Sequence, residues 1–239
     1  MIKMVVSSFY NTLINEEDAI PTSTMLEIER IRQKGIIFTM CTNRQYQEIL
    51  DYNKDFPFVD YIISLNGSLV YDVAKDKIIY QKKLTKTIIN KITKFLPDLK
   101  YVYYSENEKY TNKEEIEDKN IYKIELELHD NSDEKMIRDK LKNLPLNISL
   151  FEINNNKYIE ITSDQASMFS GVDKISLKRE LDLANIIAIN GNESDISLAQ
   201  NIKRTFVVKN ASKNLKKYAY KIVKSNTEKG VETILLKIK

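Results

Sequence analysis

An α/β fold, with a doubly wound parallel sheet as its core and a smaller α+β domain inserted, is what this sequence predicts. Three observations lead there: short, continuous apolar runs near both ends of the chain, amphipathic helical stretches between them, and a middle segment whose apolar residues alternate with acidic ones. The 239 residues suffice for a core domain carrying an insertion, and for a buried core that needs no covalent staples.

Five apolar runs, at residues 2–6, 36–41, 61–65, 186–189 and 206–208, close on small or polar residues. A strand buried on both faces reads as such a run, so these are assigned to parallel strands. Between them, Met25, Ile28 and Ile31 share a helical face before Gly35. Ile196, Ala199 and Ile202 share another, as βαβ crossovers require. In the middle, Ile124, Leu126 and Leu128 alternate with Glu125 and Glu127, and Ile159 and Ile161 flank Glu160, the pattern of half-exposed strands. Ile88, Ile89, Ile92, Phe95 and Leu96 predict a helix, and Ile137, Leu141 and Leu144 a second. Residues 83–162 are therefore expected to form an antiparallel sheet with helices on one face, inserted into a discontinuous core of residues 1–82 and 163–239. Asn154, Asn155 and Asn156 are expected to turn the hairpin between the last two inserted strands. Residues 105–120, rich in Lys, Glu and Asn, are expected to form a loop or a short strand pair.

Lys and Arg number 37 and Asp and Glu 34, for a net charge of +3. That balance offers no electrostatic case for nucleic acid or an anionic membrane as a partner. No apolar stretch approaches the roughly 20 residues of a membrane span, and residues 1–8 lack the basic segment and apolar core of a signal peptide. Cys41 is the single cysteine, which excludes an internal disulfide and suits the reducing cytoplasm, the expected location.

Motif-like stretches fall at the expected carboxyl ends of the strands, where open α/β sheets bind ligands. The segment Lys3-Met4-Val5-Val6-Ser7-Ser8-Phe9-Tyr10-Asn11-Thr12-Leu13 resembles the first motif of the haloacid dehalogenase (HAD) phosphatase superfamily, a strand followed by DxDGTL. Thr42-Asn43-Arg44 resembles the second motif, Gly171-Val172-Asp173-Lys174 the third, and Asn190-Gly191-Asn192-Glu193-Ser194-Asp195 the fourth, usually GDxxND. Asn66-Gly67-Ser68-Leu69-Val70-Tyr71 is similar to the strand entering a cap of the Cof-like kind, and Asn210-Ala211 with residues 225–235 to that group's C-terminal end. The resemblance implies a HAD-like core with an inserted α+β cap. It also implies a phosphate held by Thr42, Lys174, Asn11 and Asn210, and a magnesium ion held by acidic side chains. At the positions of the family's nucleophile and general acid, however, stand Ser8 and Tyr10, Asn11 replaces the glycine, Gly191 replaces a metal-binding Asp, and only Asp195 is retained.

These replacements bear on the chemistry. Phosphoryl transfer in such a site needs an attacking carboxylate, an acid for the leaving oxygen and a metal that gathers charge. A serine hydroxyl needs a base, and the single histidine, His129, falls in the insertion, where a surface or packing role is expected. Tyr10, whose phenol ordinarily titrates near about 10, is mismatched as an acid and large enough to fill the leaving-group space. Asp195 and Glu193 remain as a weak magnesium site, and both equally suit a helix N-terminus. Thr42, Lys174 and the amides after Ser8 need only donate hydrogen bonds, so anion binding survives the replacements. Thr42 is expected to end the second strand and Lys174 to begin the helix after the insertion, so that both converge on residues 8–12.

The expectation is a phosphatase fold that has lost phosphohydrolase activity, requires no cofactor, and binds a phosphorylated small molecule or a protein partner. The alternatives are a slow magnesium-dependent phosphohydrolase of small phosphorylated metabolites, using Ser8 or a water with Asp195, and an interaction module whose contact surface includes Tyr101, Tyr103 and Tyr104.

Overall fold

The structure, a computed structural model, describes residues 1–14, 17–54, 56–128, 131–153 and 156–239. The first part of the chain runs through β1 (Met4–Ser8), α1 (Thr22–Gln33), β2 (Ile37–Cys41), α2 (Tyr46–Asn53), β3 (Tyr61–Ser64), β4 (Leu69–Asp72) and β5 (Lys77–Gln81). The middle part comprises α3 (Lys86–Phe95), β6 (Tyr101–Tyr104), β7 (Lys109–Tyr110), β8 (Lys123–Leu128), α4 (Asn131–Leu141), β9 (Leu146–Ile153) and β10 (Asn156–Ser163). The last part comprises α5 (Met168–Arg179), β11 (Ile186–Asn190), α6 (Ile196–Asn201), β12 (Arg204–Val208), α7 (Lys213–Lys216), β13 (Lys221–Val223) and α8 (Gly230–Leu235). Among the described residues no helix is long and apolar enough to cross a membrane.

The first and last parts share an eight-stranded sheet in the order β13-β12-β11-β1-β2-β3-β4-β5. It is parallel from β13 to β3, with β4 and β5 added antiparallel. Its central strands are apolar on both faces. Val5, Phe38, Ile62 and Ile187 belong to one core with Ile28 and Ile31 of α1, Ile49 of α2 and Ile234 of α8. Met4, Val6, Ile63 and Ala188 belong to another with Val172 and Ile175 of α5 and Leu198 of α6. Helices on both faces of a parallel sheet make the doubly wound arrangement. All five apolar runs become strands of it, but β1 ends two residues later than its run. Ser7 and Ser8 continue the ladder, pairing with Met40 and Cys41 of β2. β5 and β13, with exposed or half-exposed residues, are edge strands and lack the continuous apolar signature.

The second sheet, β7-β6-β8-β10-β9, is antiparallel throughout. Ile124, Leu126, Ile159 and Ile161 bury against Ile89 and Ile92 of α3 and Ile137 and Leu141 of α4. Phe95 departs from the expected face and stands 40% exposed, while Leu96, just past the helix, is buried. Residues 105–120 contain β7 and the turn Glu114–Ile116. β9 and β10 form a hairpin from Ile153↔Asn156 onward; Asn154 and Asn155 of its turn, and His129, lie outside the described residues.

A buried polar junction joins the two sheets. Lys123 of β8 and Glu160 of β10 form an ion pair at 2.6 Å. Lys123 Nζ also donates to the Asn43 carbonyl at 2.9 Å, and Glu160 accepts from Asn43 Nδ2 at 3.0 Å and Asn66 Nδ2 at 2.7 Å. Asn43 follows β2 and Asn66 follows β3, so the pair is anchored on two loops of the larger sheet.

Candidate active site

The strand order of the larger sheet reverses at β1, between β11 and β2, and ligands of doubly wound folds bind beyond the carboxyl ends at such a point. Ser8 closes β1. The pairing Ser7↔Ile189 brings Asn190, the last residue of β11, alongside it. Beyond Ser8 the chain makes one kinked turn, Phe9–Leu13, in which Asn11 is left-handed at φ 58°, a conformation asparagine tolerates better than most residues. Three asparagines brace that turn. Asn192 Nδ2 donates to the Tyr10 carbonyl at 2.8 Å, Asn11 Nδ2 donates to Asn192 Oδ1 at 2.9 Å, and Asn210 Nδ2 donates to the Asn11 carbonyl at 2.9 Å. Asn11 and Asn210, expected as phosphate ligands, are engaged in this bracing.

Asp195 sits beneath the turn, 1% exposed. Its Oδ2 accepts from the amides of Gly191 at 3.0 Å and Asn192 at 2.8 Å. Its Oδ1 has no hydrogen-bond partner in the protein; the nearby Ser8 hydroxyl eases its ionisation without meeting hydrogen-bond geometry. Burial raises the pKa from 3.8 to about 6, against the opposing pull of Ser8 and the two amides. Ser8 Oγ, Thr12 Oγ1 and both amide atoms of Asn190 are likewise buried without a protein partner. Native interiors pair such groups with protein, water or ligand, so a cluster of them marks a site.

Gly191 is enclosed. A Cβ there would overlap Thr12 Oγ1 and lie 2.7 Å from the Asn11 carbonyl oxygen, so this backbone excludes any side chain at the position of the family's metal-binding Asp. Glu193, the other expected acid, turns away and accepts from Ser212 Oγ and, at 3.0 Å, from Asn214 Nδ2. The described residues contain no group of three or more His, Cys, Asp or Glu side chains placed to hold a metal ion.

Tyr10 points to a different set of partners. Its phenol donates to Glu48 Oε2 and accepts from Arg44 NH1, both at 3.1 Å, and the Arg44 guanidinium lies 3.9 Å from the ring centroid. Burial holds its pKa well above the ordinary value against the pull of Arg44, with Glu48 adding to the rise. A phenol so held keeps its proton at neutral pH. Thr42 follows β2 directly and is buried. Its Oγ1 accepts from the Arg44 amide at 3.1 Å, which leaves the hydroxyl proton to donate.

Lys174 is not at this site, contrary to expectation. The capping box of Ser167 and Ser170 starts α5 at Met168, so Lys174 falls in its second turn. Its side chain is 45% exposed, 3.9 Å from the Asp173 carboxylate and 5.9 Å from the Tyr80 ring centroid. Tyr80 belongs to β5, four strands from β1, roughly 19 Å at the usual strand spacing. Gly171, three residues earlier, serves packing: a Cβ there would lie 2.7 Å from Ile63 Cγ2 of β3. The first helical position is held by buried Met168, which carries no charge.

Sequence reasoning missed Asn190, Glu48 and the bracing role of Asn192. The spacing Asn192-x-x-Asp195 is that of a capping box and signals the last of these; Arg44 and Glu48 carry the i, i+4 spacing of a helical ion pair, but nothing in the sequence attaches them to Tyr10. A cleft of about 590 Å³ opens between the second sheet and the starts of α5 and α6, with Asn66, Ser149, Ser167 and Met168 in its wall. Ser8, Thr42 and Asp195 do not line it.

Comparison with known proteins agrees with this architecture. The sequence model of the haloacid dehalogenase-like hydrolases matches residues 9–114 and 99–235. A Haemophilus influenzae protein named "Putative phosphatase" is 24% identical over 98% of this chain and 97% of its own length. A protein of the same name from Buchnera aphidicola is 28% identical over 51% of the chain and 46% of its own length. Among solved structures, a haloacid dehalogenase-like hydrolase from B. subtilis superposes with a TM-score of 0.89 at 14% identity over 100% of both chains. A phosphatase of the haloalkanoate (HAD) superfamily from Bacteroides thetaiotaomicron superposes with a TM-score of 0.88 at 15% identity over 99% of this chain and 94% of its own. A match over most of the chain's length, together with the doubly wound sheet, establishes that the chain belongs to the haloacid dehalogenase-like hydrolase family.

Proposed function

We propose that this chain is a haloacid dehalogenase fold that has lost phosphohydrolase chemistry and acts by binding. The observation that carries this reading is how few carboxylates the site offers. Among the described residues Asp195 neighbours Ser8, one of its oxygens is held by the amides of Gly191 and Asn192, and Glu193 is engaged by Ser212 and Asn214. Magnesium takes near-octahedral oxygen coordination and is usually bound through one or two carboxylates with waters and substrate oxygens. A single free carboxylate oxygen, a hydroxyl and a carboxamide do not fit a resident magnesium ion, and position 191 has no room to supply another. The ligand class that suits the site is a phosphorylated small molecule, for which Thr42 retains a donor proton. A protein partner is the other binding reading.

A slow phosphohydrolase is favoured by one observation: the Asp195 carboxyl, with a pKa of about 6, neighbours the Ser8 hydroxyl and titrates in the range of a general base. Thermal melting with and without millimolar magnesium tests the proposal, because a ligand stabilises the native state in proportion to its occupancy. No change in Tm is expected. A magnesium-dependent rise that disappears in Asp195→Asn would overturn the metal-free reading.

A further inference from the structure

The net charge of +3 conceals a segregation. Residues 203–224 hold eight basic residues and no acidic one, which leaves the other 217 residues at −5. All eight belong to one unit, β12-α7-β13, at the end of the larger sheet. Lys203 and Arg204 enter β12, Lys209 leaves it, Lys213, Lys216 and Lys217 lie on and just after α7, and Lys221 and Lys224 bound β13. The pairing Val208↔Val223 carries Lys209 and Lys224 out of the sheet side by side. Seven of the eight are exposed and Lys216 is half-buried. None makes an ion pair among the described residues.

Apolar surface is interleaved with this charge. Tyr218 is 39%, Tyr220 67% and Ile222 50% exposed. Tyr220 meets Phe206 of β12 in a T-shaped arrangement, centroids 5.9 Å apart at 85°, and two thirds of its surface stays exposed. Among the described residues β13 is the last strand of the sheet, with no strand on its outer side.

Glu228 lies within electrostatic reach of Lys209 and Lys224 and Glu193 is held by Ser212 and Asn214, which leaves the basic residues in excess. Such an excess recruits a phosphate backbone through counterion release, and exposed tyrosine rings offer a stacking platform for bases. Insertion into a membrane takes an amphipathic helix with an apolar face, and α7 has four residues and provides none; electrostatic attraction to anionic lipid alone would leave the exposed tyrosines without a role. Reading a duplex through its grooves takes a helix or β-ribbon that can enter one, and the unit presents a single three-residue edge strand. We propose that the β12-α7-β13 edge binds single-stranded nucleic acid, with the lysines on the phosphates and Tyr218 and Tyr220 against the bases. The unit borders the candidate active site through Asn210, Ser212 and Asn214, but none of the lysines and tyrosines named here belongs to that site, so this inference does not depend on whether hydrolysis is retained.

The test is fluorescence anisotropy of the full chain with labelled oligouridine and oligodeoxythymidine of about 20 nucleotides, long enough to span a single-strand binding site. Binding is expected to weaken roughly a hundredfold between about 50 and 200 mM salt, as several phosphate contacts require. Lys216→Glu/Lys217→Glu/Lys221→Glu should weaken it at least about tenfold. The exposed pair Lys91→Glu/Lys94→Glu on α3 should leave it unchanged. Tyr220→Ala should weaken binding about fivefold or more with the salt slope intact, because stacking is not ionic; it also serves as the single-site probe if melting shows the triple variant to be misfolded. Absence of binding at low salt would overturn the proposal, as would binding insensitive to the triple variant. Preference for phosphatidylserine vesicles or for polyglutamate over the oligonucleotides would overturn it too.

Discussion

Asp195 keeps a carboxylate where burial opposes its charge. With a folded pKa of about 6 against 3.8 unfolded, the folded chain retains between those values a proton that the unfolded chain has released. Stability therefore falls as pH rises through that window, and the loss is complete above about pH 6. Two units correspond to about 3 kcal/mol. Asp195→Asn keeps an acceptor for the amides of Gly191 and Asn192 and removes the charge. It is expected to raise Tm by several degrees at about pH 7.5 and to lose that advantage at about pH 4. An equal shift at both pH values would mean that the carboxyl titrates normally. At this scale the places of Ser8 and Thr42 at strand ends, and of Gly191 and Asp195 beyond one, were legible because strand ends show as breaks in apolar runs. Lys174 was not, because its position depends on where a helix starts. The Ser167/Ser170 capping box, unread in the sequence, places that start at Met168.

Lys123 and Glu160 illustrate the same problem for whole elements. Glu160 lies between Ile159 and Ile161, and alternation reads it as the solvent side of a half-exposed strand. It is 1% exposed, because that face of β10 meets Asn43 and Asn66 rather than water. Alternation distinguishes the two faces of a strand but not solvent from a second polar surface. Edge strands β5 and β13 escaped for the converse reason, since exposure removes the apolar run that identifies a central strand. The buried pair makes a sharp prediction. Lys123→Met leaves Glu160, and Glu125 at 3.3 Å, without their shared cation and is expected to cost about 3–5 kcal/mol, whereas Lys123→Met/Glu160→Leu recovers part of that loss, since Asn43 and Asn66 then lose their acceptor. Urea unfolding midpoints measure both. A loss below about 1 kcal/mol in the single variant would show that water reaches the junction and that it does not hold the sheets together.

Across the whole molecule, fold and chemistry have separable foundations. The sheet is held by the apolar faces of β1, β2, β3 and β11 against helices on both sides, and none of those contacts requires a carboxylate at position 8, 10 or 191. The doubly wound fold can therefore superpose on a solved structure at 14% identity whatever stands at those positions. Steady-state turnover of p-nitrophenyl phosphate with magnesium, by the wild-type chain and by Ser8→Ala, tests the loss of chemistry most directly. Groups that act as a unit leave little activity once one is removed, so a rate equal to buffer alone is expected for both proteins. Magnesium-dependent turnover by the wild-type chain that Ser8→Ala abolishes would contradict it.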